Sequence, residues 1–240
     1  MDLIQAADND DIIRVRELLN QGADPNIRDI DGDTALIKAT SWNHIEIVEL
    51  LLDNETDPNI PDRFGSTALM IASYRGLTEM VRLLLNRGAD PNIQSEEDNT
   101  ALIMASFNLI KGTDYTKIVE LLLDHGADPN IRGPRGLTAL MWAKRKRNNE
   151  VARLIRDHIR LQKARQRLAF ATRLLGDNTR MDDLDYDVTT RIAEYLHDLD
   201  QYGSGKRSSS RSRSERSRRS RRSRRKRIKN KYYTRRRSFF

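Results

Sequence analysis

Cysteine is absent from this chain of 240 residues. Its absence excludes disulfide bonds, thiolate nucleophiles and cysteine-based metal sites, and it fits an intracellular protein. No apolar run approaches the roughly 18 residues that a membrane-spanning helix requires, so no contact with a membrane is expected. The N-terminal stretch MDLIQAADNDD is acidic and lacks the basic and apolar regions of a secretory signal peptide. We therefore expect an intracellular protein.

Motifs that carry chemistry are also missing. The sequence has no phosphate-binding loop, dinucleotide fingerprint, zinc-ligand pair or nucleophile motif. Its histidines lie singly and far apart in the chain, so no two of them form a ligand pair at helical spacing: His44, His125, His158 and His197. We predict no catalytic, cofactor-binding or metal-binding site, and hence a protein that is not an enzyme.

An internal repeat occupies the first two thirds of the chain. GADPN begins at residues 22, 88 and 126, and ETDPN begins at 55 in the same frame, so the starts lie 33, 33 and 38 residues apart. A second marker, of the type TALIKA, follows each of these with its threonine at the same spacings: Thr34, Thr67, Thr100 and Thr138. A third marker, of the type IVELLL, comes next. Three markers in one register predict a solenoid of stacked units.

Each unit is predicted to contain a turn, a helix, a loop and a second helix. Thr34 and its equivalents are good helix N-caps, and Leu36 and Ala39 place apolar side chains on one helical face. Pro25 and its equivalents prevent the preceding helix from continuing. The five extra residues of the 38-residue spacing lie around LIKGTDY at 109–115, and we expect them to lengthen a loop.

This pattern resembles the ankyrin repeat over residues 1–158. The family carries Thr-Pro-Leu-His where this chain has Thr-Ala-Leu followed by Ile or Met. The resemblance implies an all-α solenoid of about five helix pairs with β-hairpin-type fingers. The repeats are expected near residues 1–21, 22–54, 55–87, 88–125 and 126–158.

The same resemblance implies that the chain binds a protein through its finger tips and the exposed positions of its first helices. Trp42, Tyr74 and Phe107 fall close together in the repeat frame, so an aromatic ladder is possible; packing on neighbouring repeats is the alternative. The candidate protein-binding residues are Ile30, Trp42, Arg63, Phe64, Tyr74, Arg75, Phe107 and Arg135.

Residues 159–202 depart from the repeat and are predicted to form helices. Five apolar side chains keep helical spacing: Leu184, Val188, Ile192, Tyr195 and Leu196. One interpretation is a helical cap over the open end of the solenoid. The other is a resemblance to the opening helix of an F-box, a C-terminal layout seen in large DNA viruses. It implies docking onto the adaptor subunit of a cullin-type ubiquitin ligase.

The last 38 residues differ in kind from the rest. Residues 203–240 contain 18 Lys and Arg and one acid, a charge of +17, whereas residues 1–202 carry 25 Lys and Arg and 34 acids, a charge of −9. The stretch RSSSRSRSERSRRSRRSRRKR cannot bury a core, so a disordered tail is predicted. Its cations suit nucleic-acid phosphates, and its arginine-serine dipeptides resemble those of splicing-factor tails. The alternative is a solvated tail without a function of its own.

These features predict a non-enzymatic, monomeric adaptor. Its repeats would bind a protein target, and residues 184–196 would recruit a ubiquitin ligase. A different class remains open, namely a nuclear or RNA-associated protein that acts mainly through its tail. RRSRRKRIKNK is similar to a nuclear localisation signal, so the expected location is the host cytoplasm or nucleus, with the nucleus favoured.

Overall fold

In the computed structural model of this chain, the described residues are 1–108 and 115–175, with side chains described up to Arg167 and at Ala169. The chain divides into one compact unit over Met1–Arg167 and a second over Leu168–Phe240. Three predictions lie outside the described residues: most of the insertion around 109–115, the apolar positions of 184–196, and the tail.

Within residues 1–108 and 115–175, ten α-helices follow one another in five pairs. The first helix of each pair packs on the first helix of the next, and among the second helices α2 packs on α4 and α6 on α8. No β-strand occurs within the described ranges. The predicted all-α solenoid of about five helix pairs is confirmed. The helices are α1 (Leu3–Asp8), α2 (Ile12–Asn20), α3 (Ala35–Trp42), α4 (Ile45–Asp53), α5 (Ala68–Arg75), α6 (Thr78–Asn86), α7 (Ala101–Phe107), α8 (Tyr115–Asp124), α9 (Ala139–Arg145) and α10 (Asn149–Leu175).

Threonine starts four of the first helices, as predicted. Each threonine Oγ1 accepts a hydrogen bond from the backbone N–H three residues later, at 3.2 to 3.5 Å. Such a bond satisfies one of the donors that a helix start leaves unpaired. Because the preceding residue is the last of a finger, the cap also fixes where each finger joins its helix.

The core runs as one continuous cluster through all five pairs. The first helices contribute alanines together with larger side chains, of which Leu36, Leu69 and Leu102 are almost fully buried. The second helices contribute larger side chains, such as Leu51 and Leu84, which are fully buried. Small residues on the first helices let them approach closely, while branched apolar residues on the second helices fill the outer space.

Asparagine side chains join neighbouring repeats along the DPN turns. The Oδ1 atoms of Asn26, Asn59 and Asn92 accept hydrogen bonds from the backbone N–H of the aspartate in the next repeat, at 2.7 to 2.9 Å. Those aspartates accept from the backbone N–H two residues later within their own turns. The turns are therefore linked into one row.

Helix α10 is unusually long for a repeat helix, at 27 residues. The predicted boundary between residues 158 and 159 falls inside it. Its side chains Gln162, Arg165 and Gln166 border a cleft of about 420 Å³ beside the last DPN turn.

Burial lowers the pKa of His158 on the same helix. The charge of Arg165 lowers this pKa further, while the charge of Asp124 opposes the shift.

None of the helices within the described ranges combines the length and the apolar character that crossing a membrane would require.

Candidate protein-binding surface

Four fingers project between the helix pairs, at residues 29–33, 62–66, 95–99 and 133–137. Each is closed by a backbone hydrogen bond of 2.9 to 3.0 Å from its first residue to its last. They are tight turns rather than strand ladders, which is why the expected hairpins contain no assigned strand. A short turn places its central side chains outward, so the finger tips are natural contact points.

The structure places the predicted finger residues at these tips. The Ile30 side chain is fully exposed, the Phe64 side chain is 57% exposed, and Arg63 is exposed beside it. The Arg63 guanidinium carbon lies 4.7 Å from the centre of the Phe64 ring, a favourable cation–π geometry. Arg135 is also exposed, at the tip of the last finger. Two neighbouring fingers thus present an apolar side chain to solvent.

Neighbouring fingers are held against each other. The backbone N–H of Glu96 donates to the carbonyl oxygen of Phe64 at 3.0 Å, and the Arg63 guanidinium contacts the Asp31 carboxylate at 2.5 Å. Two glycines permit this approach. A Cβ on Gly32 would lie 2.8 Å from the backbone nitrogen of Arg63, and a Cβ on Gly65 would lie 2.8 Å from the backbone nitrogen of Glu96. The first three fingers therefore form a connected row.

The first finger is also tied to its own helix. Lys38 Nζ on α3 lies 2.6 Å from Asp33 Oδ2 and 3.5 Å from Asp29 Oδ2. The hydrogen bond to Asp33 raises the pKa of Lys38 above its ordinary value, against the opposing effect of partial burial. Burial alone would raise the pKa of Asp29, but two finger N–H groups and the Lys38 ammonium lower it. These contacts of Lys38 with Asp29 and Asp33 tie the base of the first finger to α3.

An aromatic ladder forms with two of its three predicted members, and Trp142 takes the place of Trp42. Tyr74 and Phe107 are neighbours, with ring centres 6.1 Å apart, and Phe107 in turn lies 5.6 Å from Trp142. Trp42 instead donates its indole N–H to Asp8 Oδ1 of the preceding repeat at 2.8 Å. The ladder therefore runs through the third, fourth and fifth repeats.

Trp142 was missed because it stands one helical turn earlier in its repeat than Tyr74 and Phe107 do in theirs. Residues three or four positions apart lie on the same face of a helix. Trp142 therefore lies on the same face as the frame position of Tyr74 and Phe107, and this helical periodicity is the sequence signal that predicts its place in the ladder. Arg145 occupies the frame position of the missing aromatic residue, with its guanidinium carbon 5.8 Å from the Trp142 ring centre.

The remaining predicted residues are exposed to different extents. Trp42 is 62% exposed despite its hydrogen bond, Tyr74 and Arg75 are exposed, and Phe107 is half-buried between its two aromatic neighbours. Packing between repeats accounts for Phe107. The exposed set that is free to meet a partner is thus Ile30, Trp42, Arg63, Phe64, Tyr74, Arg75 and Arg135.

Comparison with protein families identifies the repeat. The family model for ankyrin repeats (3 copies) matches residues 3–95, 57–133 and 91–167. The chain belongs to the ankyrin repeat family. These overlapping ankyrin matches extend over more than half of the chain, and they reach beyond the predicted end of the array at residue 158. A search of curated proteins finds no match.

Ankyrin repeats are generally non-enzymatic scaffolds for protein–protein interaction. Over residues 1–108 and 115–175, no group of three or more His, Asp or Glu side chains is placed to hold a metal ion. What the ankyrin array does offer is an extended row of fingers and first helices, and such repeat surfaces are suited to contacting another protein.

Proposed function

We propose that this protein is an adaptor whose ankyrin array binds a protein partner through its fingers and first helices. The observation that supports this most is the row of exposed apolar and arginine side chains on fingers that are fixed to one another. Ile30 and Phe64 lie on adjacent tips, where no core is available to cover them. Aromatic and arginine side chains are also the usual anchors of protein interfaces.

Rigid fingers make these side chains effective anchors. A mobile loop loses conformational freedom when it binds, and this loss weakens affinity. Here the inter-finger hydrogen bond, the Asp31–Arg63 ion pair and the contacts of Lys38 with the first finger already order the finger row before any partner arrives. A partner with an apolar surface of complementary shape therefore binds with little cost of ordering.

The first experiment is an affinity purification of the full chain from cells, with quantitative mass spectrometry. The double variant Ile30→Ala/Phe64→Ala is expected to lose one set of captured proteins by about tenfold or more, because it removes two interface anchors. The matched control is Ile13→Ala, which removes an exposed apolar side chain from α2, outside the fingers. If the unaltered chain, the double variant and Ile13→Ala capture the same proteins in equal amounts, the fingers are not the binding surface.

Recruitment of a cullin-type ubiquitin ligase is the second part of the proposed function. It rests on the F-box-like spacing of Leu184, Val188, Ile192, Tyr195 and Leu196 in the sequence. In the same purification, the ligase adaptor subunit is expected among the captured proteins and is expected to be lost from Ile192→Asp/Leu196→Asp. If no adaptor subunit is captured by the unaltered chain, this segment serves only as a cap.

The alternative function is a nuclear or RNA-associated one carried by residues 203–240. The 18 cations of the tail favour it, since each phosphate contact releases counterions and makes binding sensitive to salt. On this alternative, deletion of 204–240 abolishes partner capture and nuclear accumulation, whereas Ile30→Ala/Phe64→Ala leaves both unchanged. The adaptor function predicts instead that the protein target is lost from Ile30→Ala/Phe64→Ala and is still captured after deletion of 204–240.

A further inference from the structure

The folded part of the chain contains a strongly basic region of its own. Residues 1–130 carry 10 Lys and Arg and 24 acids, a charge of −14, whereas residues 131–175 carry 13 Lys and Arg and only two acids, a charge of +11. The net charge of −9 for residues 1–202 conceals this contrast. The reversal coincides with the fifth repeat and helix α10.

Five of these cations lie along one edge of α10, and we call this set the basic stripe: Arg153, Arg156, Arg160, Lys163 and Arg167. At about 100° per residue, they fall within an arc of about 80°. The buried side chains Val151, Ala152 and Ile155 fix which face of the helix meets the core. All five cations are exposed, with the Arg153 and Arg160 side chains 80% and 72% accessible.

The stripe is largely free of neutralising partners. Asp157 lies 3.7 Å from Arg153 Nε and 3.5 Å from Arg160 Nη1, and both contacts are long for an ion pair. Among the described residues, no acid forms an ion pair with Arg156, Lys163 or Arg167. Lys144, Arg145, Lys146 and Arg147 are exposed too, and they directly precede the start of α10.

The length and spacing of the stripe match a polymer of regularly placed negative charges. From Arg153 to Arg167 the helix rises about 21 Å, a length over which one nucleic-acid strand carries about six phosphates. Four of the five cations are arginines, whose planar donors suit phosphate oxygens. Because apolar side chains are absent between the five cations on this edge, the stripe has nothing to insert into a lipid surface.

We propose that the basic stripe, together with residues 144–147, binds the phosphate backbone of a nucleic acid without reading its base sequence. The acidic first 130 residues repel the same polymer, so binding is confined to the fifth repeat and α10. This site is distinct from the finger row and from the tail, and it stands whether or not the tail has a function of its own. It gives the adaptor a second, folded contact.

The test compares two variants of the full chain with equal net charge. The stripe variant replaces all five stripe cations with glutamine, and the tail variant replaces five tail cations with glutamine: Arg218, Arg219, Arg221, Arg222 and Arg224. Affinity for a 20-nucleotide single-stranded RNA of mixed sequence is measured by fluorescence anisotropy between 50 and 200 mM salt. Glutamine keeps good helix propensity, and an unchanged melting curve confirms that the stripe variant is folded.

The stripe variant is expected to reduce the slope of log affinity against log salt concentration by about 3.5, since each lost contact to a single strand removes about 0.7. Between 50 and 200 mM salt, it should therefore lose about a hundredfold less affinity than the unaltered chain. An unchanged slope in the stripe variant, with a reduced slope in the tail variant, would overturn the proposal. The proposal would also be overturned if the unaltered chain bound polyglutamate of the same total charge as tightly as it binds the RNA. That result would assign the stripe to acidic polypeptides.

Cross-linking provides a readout that needs no substitution. The unaltered full chain is irradiated with 4-thiouridine RNA, and the cross-linked peptides are identified by mass spectrometry. Cross-links within residues 144–167 are expected. Cross-links found only within 203–240 would overturn the proposal.

Discussion

Replacing Gly65 with alanine is expected to lower the free energy of unfolding by about 2–5 kcal/mol. Gly65 has a positive φ of +77°, and an alanine in this region of backbone space costs about 1–2 kcal/mol. The new Cβ would also lie 2.8 Å from the backbone nitrogen of Glu96, on the neighbouring finger. Since that atom cannot move without shifting the finger, overpacking adds about 1–3 kcal/mol.

Gly88→Ala is the matched control for this prediction. Gly88 has a similar φ of +87°, but a Cβ built on it meets nothing within 4 Å. It therefore incurs only the backbone cost of about 1–2 kcal/mol. Urea unfolding followed by circular dichroism measures both variants. Equal destabilisation would contradict the close docking of the second finger on the third, and with it the rigid finger row.

Leu84→Ala is the second large effect, with an expected loss of about 2–5 kcal/mol in the free energy of unfolding. Leu84 lies on α6 in the middle of the array and is fully buried. Removal of its side chain loses apolar burial and leaves a cavity between the third repeat and its neighbours. In a stacked array each repeat is stabilised mainly by the adjacent ones, so a central cavity weakens two interfaces.

The neighbouring residue supplies the control for this core substitution. Leu83 lies on the same helix and is only half-buried, so Leu83→Ala is expected to cost about 1 kcal/mol. Unfolding in urea is again the measurement. If the two substitutions destabilise the protein equally, α6 does not face the core with Leu84.

Local signals made the repeat fold predictable from the sequence. Threonine caps, DPN turns and apolar helical spacing each act within a few residues, and the caps and the turns each recur four times in one register. The structure confirms the threonine caps at all four predicted helix starts. The family match confirms the kind of repeat.

Contacts between repeats were harder to predict. The links from the first three DPN asparagines to the next repeat join residues 31 to 36 positions apart. A DPN sequence is already explained by the turn that it forms, so it does not point to a contact with another repeat. Trp142 packs on Phe107 from a helix position that differs from those of Tyr74 and Phe107, while Trp42 donates a hydrogen bond to Asp8. The basic stripe was not predicted because residues 1–202 have a negative net charge when taken together.

The most direct test of the account uses a partner recovered by affinity purification. Amide hydrogen exchange of the full chain is compared with and without that partner. The account predicts protection in the fingers and first helices, over residues 29–42, 62–75, 95–107 and 133–145. Protection confined to the second helices, such as residues 45–53 and 78–86, would contradict the assignment of the finger row as the binding surface.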